Sequence, residues 1–123
     1  MARILIIDDE DELRSMLRQM LEQAGHQVTE AVNGAEGIQL YEQDRPDLII
    51  TDIIMPEMEG FETIRELRDT AAELKIIAIS GGAPIGTPDN LKIAREFGAD
   101  AAFAKPIDRQ EFLSSVSRLL AAA

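Results

Sequence analysis

Three aspartates, a serine and a lysine stand at the carboxyl ends of four short apolar runs. The runs are Arg3–Ile7 followed by Asp8 and Asp9, Asp47–Thr51 followed by Asp52, Lys75–Ile79 followed by Ser80, and Asp100–Ala104 followed by Lys105 and Pro106. Carboxylate oxygens suit magnesium, a hard cation that keeps several of its waters. Beside such a cation a carboxylate oxygen can attack a phosphoryl group, because the charge on the transferring oxygens is offset. A lysine adds a second positive charge, and a serine hydroxyl can donate a hydrogen bond to a phosphoryl oxygen. Taken singly, each residue has a plainer explanation: aspartate caps helices, serine sits in turns, lysine is solvated. Together, in this order on four runs, they point to a magnesium-assisted phosphoryl acceptor. Without the cation the three carboxylates repel, and at least one pKa should rise as a property of the cluster.

As strands of one open parallel sheet, whose carboxyl ends line a single crevice where ligands bind, the four runs deliver these residues to one place. The rest of the chain supports that arrangement, since apolar runs alternate with helical patterns, the signature of βα units. Ile4 to Ile7 are apolar without a break, as a strand covered on both faces requires. From Asp11 to Ala24, Leu13, Met16, Leu17, Met20, Leu21 and Ala24 recur at helical spacing, and Gly25 stops the pattern. Gln27 to Val32 reads as an edge-like strand. Asn33 with Glu36 forms a capping box for a second helix that runs to about Asp44.

Leu48 to Ile50 make a central strand, and Phe61, Ile64, Leu67 and Ala71 give the face of a third helix. Ile76 to Ile79 make a fourth strand. Thr87 and Pro88 open the next helix as cap and first residue, and Gly98 ends it. Ala101 to Ala104 form a small-residue fifth strand. Asp108 and Glu111 cap a last helix with core residues Phe112, Val116 and Leu119/Leu120. The expected architecture is an α/β fold of type (βα)5, a single domain over residues 1–123.

Composition narrows the possible functions. At 123 residues, 46% hydrophobic and 28% charged, the chain is an ordinary globular protein with enough length for a real core. No apolar run approaches the ~20 residues of a membrane span, and no charged-then-apolar leader precedes the first strand. Cysteine is absent, which removes disulfides and thiolate metal sites and makes a cytoplasmic location the expectation. A net charge of −11 disfavours direct contact with nucleic acid or anionic membrane. His26 stands alone and reads as a surface residue rather than a phosphocarrier, while Tyr41 and the Met16/Met20 pair read as core. Gly34 and Gly37 lie within a helix and form no phosphate-cradling loop.

The set Asp8-Asp9, Asp52 in Asp-Ile-Ile-Met-Pro-Glu-Met-Glu-Gly, Ser80-Gly81 and Lys105-Pro106 resembles the receiver domain of two-component response regulators. The match spans essentially the whole chain, and the single-domain chemotaxis regulator is the nearest comparison in architecture. The resemblance implies a flavodoxin-like, doubly wound sheet of five parallel strands in the order 2-1-3-4-5. It implies that the phosphohistidine of a sensor histidine kinase, or of a phosphotransfer protein, donates its phosphoryl group to Asp52. Asp9, Asp52 and the carbonyl of Ile54 would ligate Mg2+ directly, with Asp8 acting through water. Lys105 would contact the phosphoryl group and Asp52, with the Lys105-Pro106 bond cis, and Ser80 would move toward a phosphoryl oxygen. The chain would catalyse its own phosphorylation and a slow dephosphorylation, and pass the signal to a downstream partner or output domain that the sequence does not name. The alternative is a phosphorylation-independent interaction module of the same fold. A phosphatase on the same principle would need an acid two residues after Asp52, where Ile54 stands.

Two departures from the family pattern bear on output. The aromatic usually found three residues before the lysine is Ala102 here, and Phe103 beside it points to the opposite face of its strand. The Ser80–Thr87 segment also looks about three residues longer than usual, with three glycines and a proline. Ile54 and Gly82 stand where polar side chains would orient a hydrolytic water, so the expected self-dephosphorylation is slow.

Overall fold

The computed structural model describes residues 2–53, 59–80 and 90–121. Strands and helices alternate: β1 (Arg3–Ile7), α1 (Asp11–Gln23), β2 (Gln27–Ala31), α2 (Gly34–Gln43), β3 (Leu48–Asp52), α3 (Glu59–Thr70), β4 (Lys75–Ser80), α4 (Asn90–Phe97), β5 (Ala101–Ala104) and α5 (Arg109–Ala121). All neighbouring strands pair in parallel, in the order β2-β1-β3-β4-β5. β1 therefore lies between β2 and β3, so successive connections leave it in opposite directions and open a crevice above its carboxyl end.

The unbroken apolar character of the inner strands is explained by two helical layers. Leu5, Ile7, Ile49, Ile76 and Ala78 point to one face, where Tyr41, Phe61, Ile64, Leu67 and Ala94 of α2, α3 and α4 cover them. Ile4, Ile6, Leu48, Ile50, Ile77 and Ile79 point to the other, against Leu13, Leu17, Leu21, Phe112 and Val116 of α1 and α5. Alternate residues of each strand thus feed two separate cores. β2 is an edge strand, with a half-exposed pattern.

Helix ends follow the sequence signals. Asn33 Oδ1 accepts from the Glu36 N–H at 2.8 Å and Asp108 Oδ1 from the Glu111 N–H at 3.0 Å. Glu36 reaches back to the Val32 N–H at 3.0 Å, one residue before the donor a capping box uses. Gly25 has φ +95°, and the Gly25 and His26 N–H groups bond to the carbonyls of Glu22 and Leu21, closing α1 in a Schellman motif.

Two expectations need correction. Met16 is 42% exposed, whereas Met20 is 5% exposed. The buried set Leu13, Leu17, Met20 and Leu21 centres the stripe away from Met16, which falls on its solvent edge. Asp52 and Ser80 are the last residues of β3 and β4 rather than the first residues after them. The Thr87-Pro88 helix start lies outside the described residues.

Candidate phosphoryl-transfer site

Backbone pairing brings the site residues to one end of the sheet. Asp8 continues the β1–β2 ladder, its N–H donating to the Ala31 carbonyl at 3.0 Å. Asp52 pairs with Ile79 across β3–β4, and Ser80 pairs with Ala104 across β4–β5. The Lys105 N–H donates to the Ser80 carbonyl at 2.9 Å, so Lys105 follows β5 at the same level, and the Lys105-Pro106 bond is cis. The glycine of the Asp52 motif also has a structural reason. A Cβ on Gly60 would lie 2.4 Å from Ile53 Cα and 2.6 Å from the Asp52 carbonyl oxygen, so only glycine lets α3 start this close to the acceptor.

Asp8 and Asp52 are buried and Asp9 is exposed; one carboxylate oxygen from each lies within 4.8 Å of the other two. Lys105 Nζ is 3.6 Å from Asp52 Oδ2. Ser80 is buried at 5% exposure. Asp8, Asp9, Asp52 and Lys105 therefore share one crevice, and the backbone register sets Ser80 beside Lys105 at the same end of the sheet. Ile54, whose carbonyl was expected as a ligand, lies outside the described residues, as do Gly81, Gly82 and the rest of the segment through Asp89.

Buried carboxylates set the electrostatics of the crevice. Burial pushes the Asp8 carboxyl up to about 7; the Glu10 N–H opposes the rise and the Asp52 charge adds to it. Burial would lower Lys105, but Asp52, Glu10 and Asp8 more than offset it and hold the ammonium above its usual range. A set of hard oxygen donors with one carboxyl strained toward protonation fits a divalent cation such as magnesium.

Two residues at the site were missed by sequence reading. Glu10 donates its backbone N–H to Asp8 Oδ1 at 2.7 Å, and its carboxylate lies 3.3 Å from Lys105 Nζ. Arg14, one turn into α1, donates to the Asp8 carbonyl at 2.8 Å and pairs with Glu30 at 3.2 Å. The Asp8-Asp9-Glu10-Asp11 run was the available signal, but a run of acids reads first as solvated surface. Ala102 is buried in the α2–α4 layer, and Phe103 lies on the other face, edge-on to Phe112 at 5.7 Å between ring centroids. The opposed facing expected for these two residues is what the structure has.

The comparisons with known proteins agree with this geometry. The family model "Response regulator receiver domain" matches residues 4–117. Protein PilH of Pseudomonas aeruginosa is 37% identical over 121 residues, covering 98% of this chain and 99% of that protein. Chemotaxis protein CheY of Halobacterium salinarum is 32% identical over 120 residues, with 98% of each covered. A solved response regulator receiver domain protein from Clostridium thermocellum superposes with a TM-score of 0.88 at 27% identity, covering 99% of this chain and 96% of that one. With that match, that fold and an acidic crevice at the sheet's switch point, the chain belongs to the receiver-domain family of two-component response regulators.

Proposed function

We propose that the chain is a phosphorylation-activated signalling switch whose acceptor is Asp52. The observation that carries this reading is the buried Asp52 carboxylate, 3.6 Å from the Lys105 ammonium and clustered with Asp8 and Asp9. The donor is a phosphohistidine on a sensor histidine kinase or phosphotransfer protein. An Asp52 oxygen attacks phosphorus, the P–N bond breaks, and its electron pair stays on the imidazole nitrogen, which takes up a proton. The product is an acyl phosphate on Asp52. Lys105 donates to the new phosphoryl oxygens, and the Ser80 hydroxyl donates to another. Asp9, Asp52 and the Ile54 carbonyl would hold magnesium directly, and Asp8 through water. A bound magnesium supplies charge neutralisation at the transferring oxygens.

In this reading residues 1–123 form one receiver domain working in the cytoplasm, without direct contact with nucleic acid or membrane. Among the described residues no helix is long and apolar enough to cross a membrane. Output runs through the surface of the 80–87 segment, α4 and β5, toward a partner or output domain of unspecified identity. Ala102 contributes no aromatic to that change, which leaves the Ser80 side as the mover.

Incubation with acetyl phosphate and magnesium should give an acid-stable, base-labile adduct, and Asp52→Asn should abolish it, since an amide oxygen is a poor nucleophile. Uptake by Asp52→Asn at the unmodified rate defeats the assignment. Absence of any adduct favours the phosphorylation-independent module instead.

A further inference from the structure

Among the described residues the Lys105 ammonium pairs with two carboxylates, and the nearer one is not the acceptor. Its Nζ is 3.3 Å from Glu10 Oε2 and 3.6 Å from Asp52 Oδ2. Glu10 occupies the N-cap position of α1, yet its side chain makes no capping bond to that helix. Glutamate is not a favoured N-cap; here its carboxylate turns across the crevice to a residue 95 positions away. Its backbone N–H meanwhile holds Asp8 Oδ1 at 2.7 Å, which fixes the residue beside the acidic cluster.

We propose that Glu10 is an intramolecular competitor for the Lys105 ammonium, occupying in the resting protein the donor that an incoming phosphoryl group requires and so slowing phosphorylation of Asp52. This rests on the reading of Asp52 as acceptor. The phosphoryl group brings three anionic oxygens to Asp52, and Lys105 must turn from Glu10 toward them as the new bond forms. Breaking the contact is therefore part of the barrier, which makes Glu10 a positioning residue acting through Lys105. Its side chain is 55% exposed. Solvent-screened pairs of this kind are weak, so releasing the contact should speed uptake by about two- to five-fold rather than by orders of magnitude.

Two substitutions separate this from simple repulsion of the anionic donor. Glu10→Gln removes the charge. Glu10→Asp keeps the charge at the rim but retracts it by one methylene, and aspartate is a favoured N-cap that would turn to its own helix. Phosphorylation by acetyl phosphate is the probe: the acetyl P–O bond breaks, acetate leaves with the electron pair, and the Asp52 O–P bond forms. Competition predicts that both variants take up phosphate faster than the unmodified chain, with Glu10→Asp at least as stable in thermal melts. Acceleration in Glu10→Gln alone means the charge repels the donor and overturns the proposal, as do unchanged or slower rates in both. The Asp52→Asn variant keeps the two readings apart. Persistent adduct there moves the acceptor elsewhere, whereas Asp52-dependent uptake at equal rates in all Glu10 variants defeats only the competition.

Discussion

Asp8 places a carboxyl at 1% exposure next to a second buried carboxylate, and its proton is held in consequence. In the unfolded chain it leaves near 3.8, and in the folded one near 7, chiefly because burial penalises the charged form. Between those values the folded state binds more protons, so this residue makes stability fall as pH rises through the window. Asp8→Asn keeps an oxygen for the Glu10 N–H but cannot ionise. In metal-free buffer its melting temperature should gain on the unmodified chain from pH 4 to 7 and level off above, by on the order of 4 kcal/mol at the plateau, or roughly 15 °C. A difference that stays flat with pH would show that Asp8 titrates normally. The five candidate residues were legible because each stands at the end of an apolar run, a local signal. Glu10 and Arg14 were not, because their significance lies in partners across the crevice and on β2, and nothing in their own neighbourhoods names those partners.

At the scale of elements, one side chain ties four of them together. Arg68 in α3 donates through Nε and Nη2 to the Gly98 carbonyl at 3.1 and 2.8 Å, and through Nη1 to the carbonyls of Ala72 and Leu74 at 2.8 and 2.6 Å. Its Nη2 also reaches Asp100 Oδ2 at 2.8 Å, and that oxygen accepts from the Ile76 N–H as well. The ends of α3 and α4 and the starts of β4 and β5 are joined through one planar fork, which a lysine cannot reproduce. Arg68→Lys should therefore lose about 1–2 kcal/mol and Arg68→Met about 2–3 kcal/mol, read as shifts of the urea midpoint at unchanged slope. A Lys variant as stable as the unmodified chain would reduce Arg68 to a surface charge. That bland reading is what its sequence context suggests, an arginine among charges on a helix. Strands were legible to within a residue because two-sided burial writes itself as a continuous apolar run, whereas Met16 was misplaced because period alone does not say where a stripe's edge falls. Gly60 was visible as a motif residue, but its reason, a backbone approach of 2.4 Å, belongs to the packed structure. Gly60→Ala should push the end of β3 aside, lowering stability and phosphoryl uptake together, whereas uptake preserved in a folded variant would show that Asp52 tolerates the shift.

Over the whole molecule, the topology gathers like charges at one end of a chain whose net charge is already −11, and a divalent cation bound there would couple the site to global stability. The (βα)5 pattern was readable from periodicity, but only the order β2-β1-β3-β4-β5 makes Asp8, Asp9 and Asp52 neighbours, and that order came from the resemblance rather than from any one segment. A ligand that binds only the folded state adds about 2.7 kcal/mol at a hundred times its dissociation constant. Protons compete for the same oxygens, so magnesium affinity should fall as pH drops through the titration of Asp8 near 7. The sign is opposite to that of Asp8 alone: without metal, raising the pH costs stability, and with saturating magnesium that loss is offset because the cation takes the ionised cluster. The measurement is the melting-temperature rise on adding magnesium at pH 8 and at pH 5, against sodium chloride of equal ionic strength to remove general screening of the acidic surface. A large rise at pH 8, a small one at pH 5, and a much reduced rise at both in Asp9→Ala are expected. A rise independent of pH and of Asp9 would place the cation on the outer surface, and the acidic crevice would lose its claim to be the metal site.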